Sequence, residues 1–287
     1  MMVDPSESEQ IKRHQQLDWD SAAAGWKKWW RVFERSAQHV SGRLIELAAV
    51  KPGDRVVDLA TGMGEPALTA ARRVGASGRI VAIDQSSGMI AVARERAAAL
   101  GLANVDFRVG DIEALGLDAA SFDAALCRWG LMFVPDLDRG LRAIRATLKS
   151  GARFATAVWS PPEKNPMISL GGDAVRRIAG LPPRPPDALD PFRLADVSIL
   201  ERALGNAGFG GVETFRVAVS FEFASLDEFT EFRNDVSTPF RAMMARCTPA
   251  QRNEIMRALA DAAAAYRRPE GSLNLLNETF CVVSRAQ

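Results

Sequence analysis

From Asp54 onward the chain alternates short β-branched runs with alanine-rich helical segments, and few folds accept that rhythm. Strands are read at Arg55–Ala60, Arg79–Asp84, Val105–Val109, Phe122–Arg128 and Arg153–Trp159. Between them, helices are read at Glu65–Arg73, at Ser87–Leu100 (closed by Gly101) and at Leu137–Leu148. Strands separated by helices at this spacing build βαβ units, and hence a parallel sheet covered on both faces. With 287 residues the chain has room for one large domain, or for a domain with a substantial cap.

Both flanks depart from the rhythm. Residues 1–50 read as helices, in which Trp19, Trp26, Trp29, Trp30 and Phe33 form an apolar stripe at mixed three- and four-residue spacings. After Trp159, Pro161-Pro162, Gly171-Gly172 and Pro182-Pro183-Arg184-Pro185-Pro186 bracket a short helix near 166–180. Asp196–Ala207 then reads as a helix ended by Gly208, and Val212–Phe221 as a strand. Residues 226–268 are helical with a break near Thr248-Pro249, and Leu276–Ser284 is a final strand. The expected organisation is an N-terminal helical lid (1–50), a ligand-binding core (51–160), an insertion (161–195) and a completion of the core (196–287) that carries a helical cap at 225–272. The additions lie outside the regular core and are natural candidates to cover a substrate.

Composition narrows the function classes. The formal charge is +1, with no long run of one sign, which favours neither a nucleic acid nor an anionic membrane as partner. Cys127, Cys247 and Cys281 are odd in number and far apart; they form no metal cluster and no disulfide framework, and they suit a reducing, cytoplasmic compartment. The first residues, MMVDPSESEQIKRHQQ, are polar and lack the apolar stretch of a signal peptide. No window approaches the roughly 18 apolar residues of a membrane span. A small-molecule enzyme, monomeric or homodimeric, is the expectation.

The stretch Val56-Val57-Asp58-Leu59-Ala60-Thr61-Gly62-Met63-Gly64-Glu65 carries the chemistry. It sets a carboxylate inside an apolar strand, then a glycine-containing turn, then a helix start with unpaired N–H groups. Asp84 ends the next strand, where a carboxylate can accept hydrogen bonds from both hydroxyls of a ribose. Two cofactors fit this much. Gly62, Gly64 and Ala67 satisfy the dinucleotide fingerprint, with Asp84 at about the required distance. Against it, Asp58 lies near the place a pyrophosphate would occupy and would repel it, whereas a cofactor bearing a sulfonium and an ammonium tolerates it. Pro66 is neutral between the two.

Asp58–Gly64 resembles motif I of the class I S-adenosylmethionine-dependent methyltransferases, in particular the ubiquinone/menaquinone-biosynthesis-like group. The likeness continues in order over roughly residues 40–160. It includes Ile83-Asp84-Gln85-Ser86-Ser87-Gly88-Met89, Val109-Gly110-Asp111-Ile112-Glu113-Ala114-Leu115, Phe122-Asp123-Ala124-Ala125-Leu126-Cys127-Arg128-Trp129 and Leu148-Lys149-Ser150-Gly151-Ala152. The resemblance implies a Rossmann-like, doubly wound α/β fold with seven strands, the last antiparallel, and S-adenosylmethionine as cofactor. It implies a cofactor site of Asp58, Ala60, Thr61, Gly62, Gly64, Asp84, Gln85, Met89, Gly110, Asp111, Ile112, Cys127, Arg128 and Trp129. Gly62 and Gly64 would lie under the methionine part, Asp84 would hold the ribose, and Met89 would pack on the adenine. Asp111 and the Ile112 backbone would read the adenine edge, while Cys127 and Arg128 would present backbone near the methionine. Ala60 replaces the first motif glycine, which is tolerable in strand geometry.

Trp19 and Trp26 are read either as core or as contacts to cofactor or substrate. No catalytic base stands out. The only histidines are His14, a weak candidate in the segment expected to fold over the site, and His39, read as structural. A sulfonium methyl donor in a closed, dry site needs alignment more than a base. No metal is expected, since Asp111, Glu113 and the histidines lack metal-ligand spacing. Phe192, Phe229, Phe232, Phe240, Met243 and Met244 suggest a fairly apolar acceptor. A nicotinamide-dependent oxidoreductase and a non-catalytic cofactor-binding subunit are the competing readings.

Overall fold

The first strand reads Arg-Val-Val-Asp-Leu and is buried from Val56 onward, as a strand flanked by helices on both faces must be. In the computed structural model, which describes the backbone of residues 5–182 and 189–287 and side chains from Ser8 onward, it is an interior strand, third of the seven in the sheet. Pro183-Arg184-Pro185-Pro186 of the proline-rich run lies outside the described residues.

In chain order the elements are α1 (Pro5–Leu47), β1 (Arg55–Leu59), α2 (Ala67–Val74), β2 (Arg79–Asp84), α3 (Ser87–Ala99), β3 (Val105–Val109), β4 (Phe122–Arg128), α4 (Leu137–Thr147) and β5 (Leu148–Trp159). There follow α5 (Pro166–Ser169), α6 (Gly172–Ile178), α7 (Val197–Asn206), β6 (Phe209–Phe223), α8 (Leu226–Val236), α9 (Thr238–Arg246), α10 (Pro249–Ala263) and β7 (Leu273–Ala286). The sheet order is β3-β2-β1-β4-β5-β7-β6. Strands β1 to β5 are parallel to one another, with Val56 opposite Ile80 on one side and Ala124 on the other. β7 runs antiparallel to both β5 and β6, so the expected α/β fold with an antiparallel last strand is the observed one.

Four differences from the sequence reading have physical causes. The N-terminal helices are a single helix of 43 residues, roughly 65 Å long at 1.5 Å per residue. The helix near 166–180 is split at Leu170–Gly171, where Gly171 adopts φ +67° and separates α5 from α6. Besides the break at Thr248, the late helical segment breaks at Ser237, which ends α8 and whose hydroxyl accepts from Phe240 N to start α9. The last two strands are longer than their apolar runs, because β6 and β7 pair with each other from Phe209 to Phe223 and extend beyond the sheet.

The insertion and the late helices are one body. Val175 of α6 is buried with Phe240, Cys247, Ile255 and Leu259 in a satellite core. At the other end of the molecule, Ala37, Val40, Leu44 and Ile45 of α1 belong to the main core. Between them α1 passes α8 closely enough that a Cβ on Gly25 would sit 2.2 Å from the Asp235 carbonyl oxygen. Lys28 and Trp29 both reach the Asp235 carboxylate there, at 2.7 and 2.8 Å.

Candidate functional site

In a doubly wound sheet the strand order reverses between β1 and β4, and the crevice at their carboxyl ends is where ligands settle. A cavity of about 1720 Å³ lies there, floored by the β1 and β4 turns, walled by β2 and the segment after β3, and roofed by α1 and the cap helices. That volume exceeds the roughly 300–1,000 Å³ of a single-ligand pocket and leaves room for a cofactor and an acceptor together.

Two residues on this floor hold conformations that side chains avoid. Ala60 has φ +51° and Trp129 φ +57°. The expectation that Ala60 keeps strand geometry is therefore corrected: β1 ends at Leu59, and Ala60 turns left-handed so that its methyl meets Gly130, where a Cβ would be 2.4 Å away. For Trp129 the strain is held by neighbours. Its ring stacks on Trp159 at 4.3 Å and its Nε1–H donates to Thr279 Oγ1 at 2.9 Å. Such outliers gather at functional sites, where the surrounding structure over-determines them.

Asp84 is 8% exposed. Its Oδ2 accepts from Gly62 N at 2.8 Å and its Oδ1 from Ser86 N at 2.9 Å, leaving lone pairs on both oxygens for a diol in the cavity. Burial pushes its pKa up to about 6, against the pull of those two N–H groups. Gly62 has φ +53°, and a Cβ built on it would meet no atom within 4 Å, so the turn offers open space that a ligand can fill. Ala60, Thr61, Gln85, Met89, Gly110, Ile112 and Trp129 also line the cavity, as do Trp19 and Trp26 from α1.

Several expected residues sit elsewhere. Asp58 is wholly buried beneath the turn, where its Oδ2 accepts from Ala67 N at 3.0 Å; it anchors the start of α2 and does not face the cavity. Burial raises its pKa to about 7. Gly64 packs on Leu68 and Ala93, and Cys127 is inaccessible, its thiol pushed up to about 12 by burial. Arg128 reaches the cavity wall but turns its guanidinium into α1, with Nη1 donating to Glu34 Oε2 and Ser41 Oγ, both at 2.9 Å. His14 is largely exposed, 3.6 Å from Asp18, and does not line the cavity; its place on the outer side of α1 removes it as a base candidate. His39 Nε2 meets the Ala218 carbonyl at 2.8 Å, a structural contact.

The cations near the glycine turn are already engaged. Arg128 is held by Glu34, and Arg96 donates to the Met63 carbonyl, lies 3.5 Å from Glu65 and packs over Trp30. Among the described residues no positive side chain beside the glycine turn is left free for a pyrophosphate. Asp84, which lines the cavity and accepts only from backbone N–H groups among the described residues, instead suits a cofactor without phosphate.

Sequence reasoning missed Lys12. Its Nζ lies 2.8 Å from Asp111 Oδ2 and 2.7 Å from Glu113 Oε2, so the first turns of α1 close over the loop after β3. Burial lowers its pKa, but the bonds to the two carboxylates outweigh that and raise it. Asp20 does the same at α3, where its Oδ1 accepts from Gly88 N at 2.9 Å and from Ser86 Oγ at 2.6 Å. Nothing local in the sequence announces such long-range partners. No group of three His, Cys, Asp or Glu able to hold a metal occurs among the described residues, and no described helix is long and apolar enough to cross a membrane.

Residues 50–169 match the family model for a methyltransferase domain. Over 112 residues the chain is 41% identical to the 2-phytyl-1,4-naphtoquinone methyltransferase of Synechococcus elongatus, which covers 39% of this chain and 48% of that protein. Over 126 residues it is 40% identical to the ubiquinone/menaquinone biosynthesis C-methyltransferase of Stenotrophomonas maltophilia, covering 41% and 50%. The aligned part thus spans about half the length of these relatives. Among solved structures the fold is similar to the YcgJ protein of Bacillus subtilis, with TM-score 0.59, 16% identity, and coverage of 87% of this chain and 99% of that one.

Proposed function

Taking residues 50–169 as a class I S-adenosylmethionine-dependent methyltransferase domain of the ubiquinone/menaquinone-biosynthesis-like group, we propose that the chain transfers a methyl group to an oxygen, carbon or nitrogen of a small, fairly apolar acceptor. One observation carries the reading: an open glycine turn beside the buried Asp84, with every nearby cation already paired to protein carboxylates or carbonyls. S-adenosylmethionine, when bound, supplies an electrophilic methyl on a sulfonium.

This chain's residues provide the rest. Asp84 accepts from the ribose hydroxyls and orients the nucleoside. Met89 and Ile112 offer apolar contact to the adenine, and Asp111 accepts at its edge while sharing its charge with Lys12. Gly62 lets the backbone approach the methionine part, beside Ala60, Thr61 and the backbone at Arg128. Trp129, Trp159, Phe33 and Trp26 exclude water from the space beyond, and alignment in a dry site supplies much of the rate without a dedicated base. Neither histidine nor cysteine lines this cavity. The printed activities of the quinone-type relatives favour an aromatic or quinol-like acceptor for this chain too. The cytoplasm is the proposed compartment, with the chain acting as a monomer or homodimer and without a nucleic-acid partner. Residues of α1 before Glu34 act as a lid over the cofactor.

Two measurements test this. Calorimetric titration should give saturable binding of S-adenosylhomocysteine and none of NADH. A screen with labelled S-adenosylmethionine over quinols, phenols and small amines should then find an acceptor. Binding of NADH in place of S-adenosylhomocysteine would move the chain to the oxidoreductases, and cofactor binding with no turnover over the whole screen would favour a non-catalytic subunit.

A further inference from the structure

The cations that line the cavity divide by what they touch. Lys12 meets two carboxylates and Arg128 one. Arg193 donates to the carbonyls of Val134 and Pro135 and feels the charges of Asp136 and Glu113. Arg176 donates to the Pro182 carbonyl at the outer edge of the insertion, and Arg177 is exposed. Arg233 on α8 differs from all of these. Among the described residues its guanidinium makes one hydrogen bond, from Nη1 to the Leu170 carbonyl at 2.9 Å, and pairs with no carboxylate. Its guanidinium lies between Phe229 and Phe240, 5.6 and 4.5 Å from their centroids, and faces the cavity. Burial alone lowers its pKa to about 10, and no neighbouring charge raises it.

A guanidinium carries five N–H donors in a fork suited to a planar carboxylate, and a charge held out of water calls for a counter-ion. Phe192, Phe232, Val236, Phe240 and Met243 give the cavity it faces apolar surface. We infer that Arg233 is the anchor for an anionic oxygen group, a carboxylate or ionised phenol, on an otherwise apolar and planar acceptor. This rests on the methyltransferase reading only in calling the bound molecule the acceptor. It names the class that the cavity selects: acidic aromatic molecules over neutral quinols of the same shape. With its remaining N–H groups, Arg233 would fix the charged end among the cap helices, while the apolar body extends toward Trp129 and Trp159.

The probe pair is 2-naphthoate and naphthalene-2-carboxamide, equal in shape and different in charge, titrated calorimetrically into the full chain with and without S-adenosylhomocysteine. Wild type should bind the naphthoate about ten-fold or more tightly than the amide, the effect expected of hydrogen bonds to a charged group. Arg233→Met keeps the stem between Phe229 and Phe240 and should bring the ratio close to one, whereas Arg233→Lys should keep part of the preference. Affinity for S-adenosylhomocysteine should stay the same in all three proteins. Should Arg233→Met not fold, Arg233→Gln serves in its place. Equal binding of the two probes by wild type, no binding of the naphthoate, or a preference that survives in Arg233→Met would overturn the inference. Failure of wild type to bind S-adenosylhomocysteine would instead remove the methyltransferase reading, and the naphthoate comparison in its absence would still decide the role of Arg233.

Discussion

The C-terminal half of α1 presents Ala37, Val40, Leu44 and Ile45 to the sheet, all buried, whereas its N-terminal half presents Lys12, Trp19, Ala22 and Trp26 to a cavity. One continuous helix therefore serves as wall of the core at one end and as roof of the site at the other. The ties differ in kind. The core half is held by close-packed apolar area, which has no substitute in water. The roof half adds to its apolar contacts a set of polar ones: Lys12 to Asp111 and Glu113, Asp20 to Gly88, and Lys28 to Glu231 and Asp235. Trp19 and Trp30 pack on Met63 and Met89 in a small satellite cluster, Trp26 packs on both that cluster and the main core, and Trp29 belongs to the main core. The Glu34–Arg128 pair, buried on both sides, stands at the boundary. An apolar stripe alone thus does not say whether a helix is core or cover; what stands opposite it does.

Glu34→Ala should have the largest effect, because it leaves Arg128 charged, buried and unpaired, at a cost of about 3–5 kcal/mol. Urea unfolding measures it, and a loss below about 1 kcal/mol would mean that water reaches the boundary and the two halves are not distinct. Leu44→Ala should cost about 2–5 kcal/mol by the same measurement, since its surroundings are fully packed. A comparable loss from Trp19→Ala, which lies on the roof, would erase the contrast.

Asp84→Ala should weaken S-adenosylhomocysteine binding by about 1.5–3 kcal/mol, the range for hydrogen bonds to a charged group. Because burial holds the Asp84 pKa near 6, wild-type affinity should fall as pH drops from 7 toward 5 and the carboxylate gains a proton. Asp84→Asn should start weaker and show a flatter profile over that range. For stability the sign is opposite: a carboxyl whose folded pKa lies above its unfolded value stabilises the fold fully below about pH 4, and that contribution is lost as pH rises through 6.

Ala60→Gly should raise thermal stability by about 1 kcal/mol, by removing the cost of a left-handed alanine. A decrease would show that the contact of the Ala60 methyl with Gly130 outweighs the strain. Lys12→Met should cost less stability than Glu34→Ala, as Arg139 remains 4.0 Å from Glu113 and Asp111 is partly solvated. Its signature should instead be faster proteolytic cleavage within residues 10–30, slowed again by S-adenosylhomocysteine. Cleavage at an unchanged rate would mean that the roof is fixed by its tryptophans.

Much of the site was legible because it is local. Gly62 and Asp84 belong to a strand–turn–helix unit and the strand beside it, and their chemistry depends on positions only a few residues from each strand end. The side-chain direction of Arg128 was not legible, because it is decided by Glu34 and Ser41 on a helix more than eighty residues earlier. Asp58 was read as a possible neighbour of the cofactor but is spent on the α2 N–H, since a buried carboxylate takes the nearest orphan donor.

Strands β1–β4 to within a residue, their helices, the α/β class and the glycine turn with its strand-end carboxylate follow from the order of residues alone. Periodicity and turn residues act over a few positions, and so they can be read without knowing the path of the chain. It took the folded chain to show that α1 is one helix spanning core and cavity, that the insertion packs with the late helices, and that Arg233 lines the cavity with no counter-ion among the described residues. Those facts depend on which distant segments meet, and that is set by the packing of the whole chain around the sheet, where each contact is available only after the others have formed.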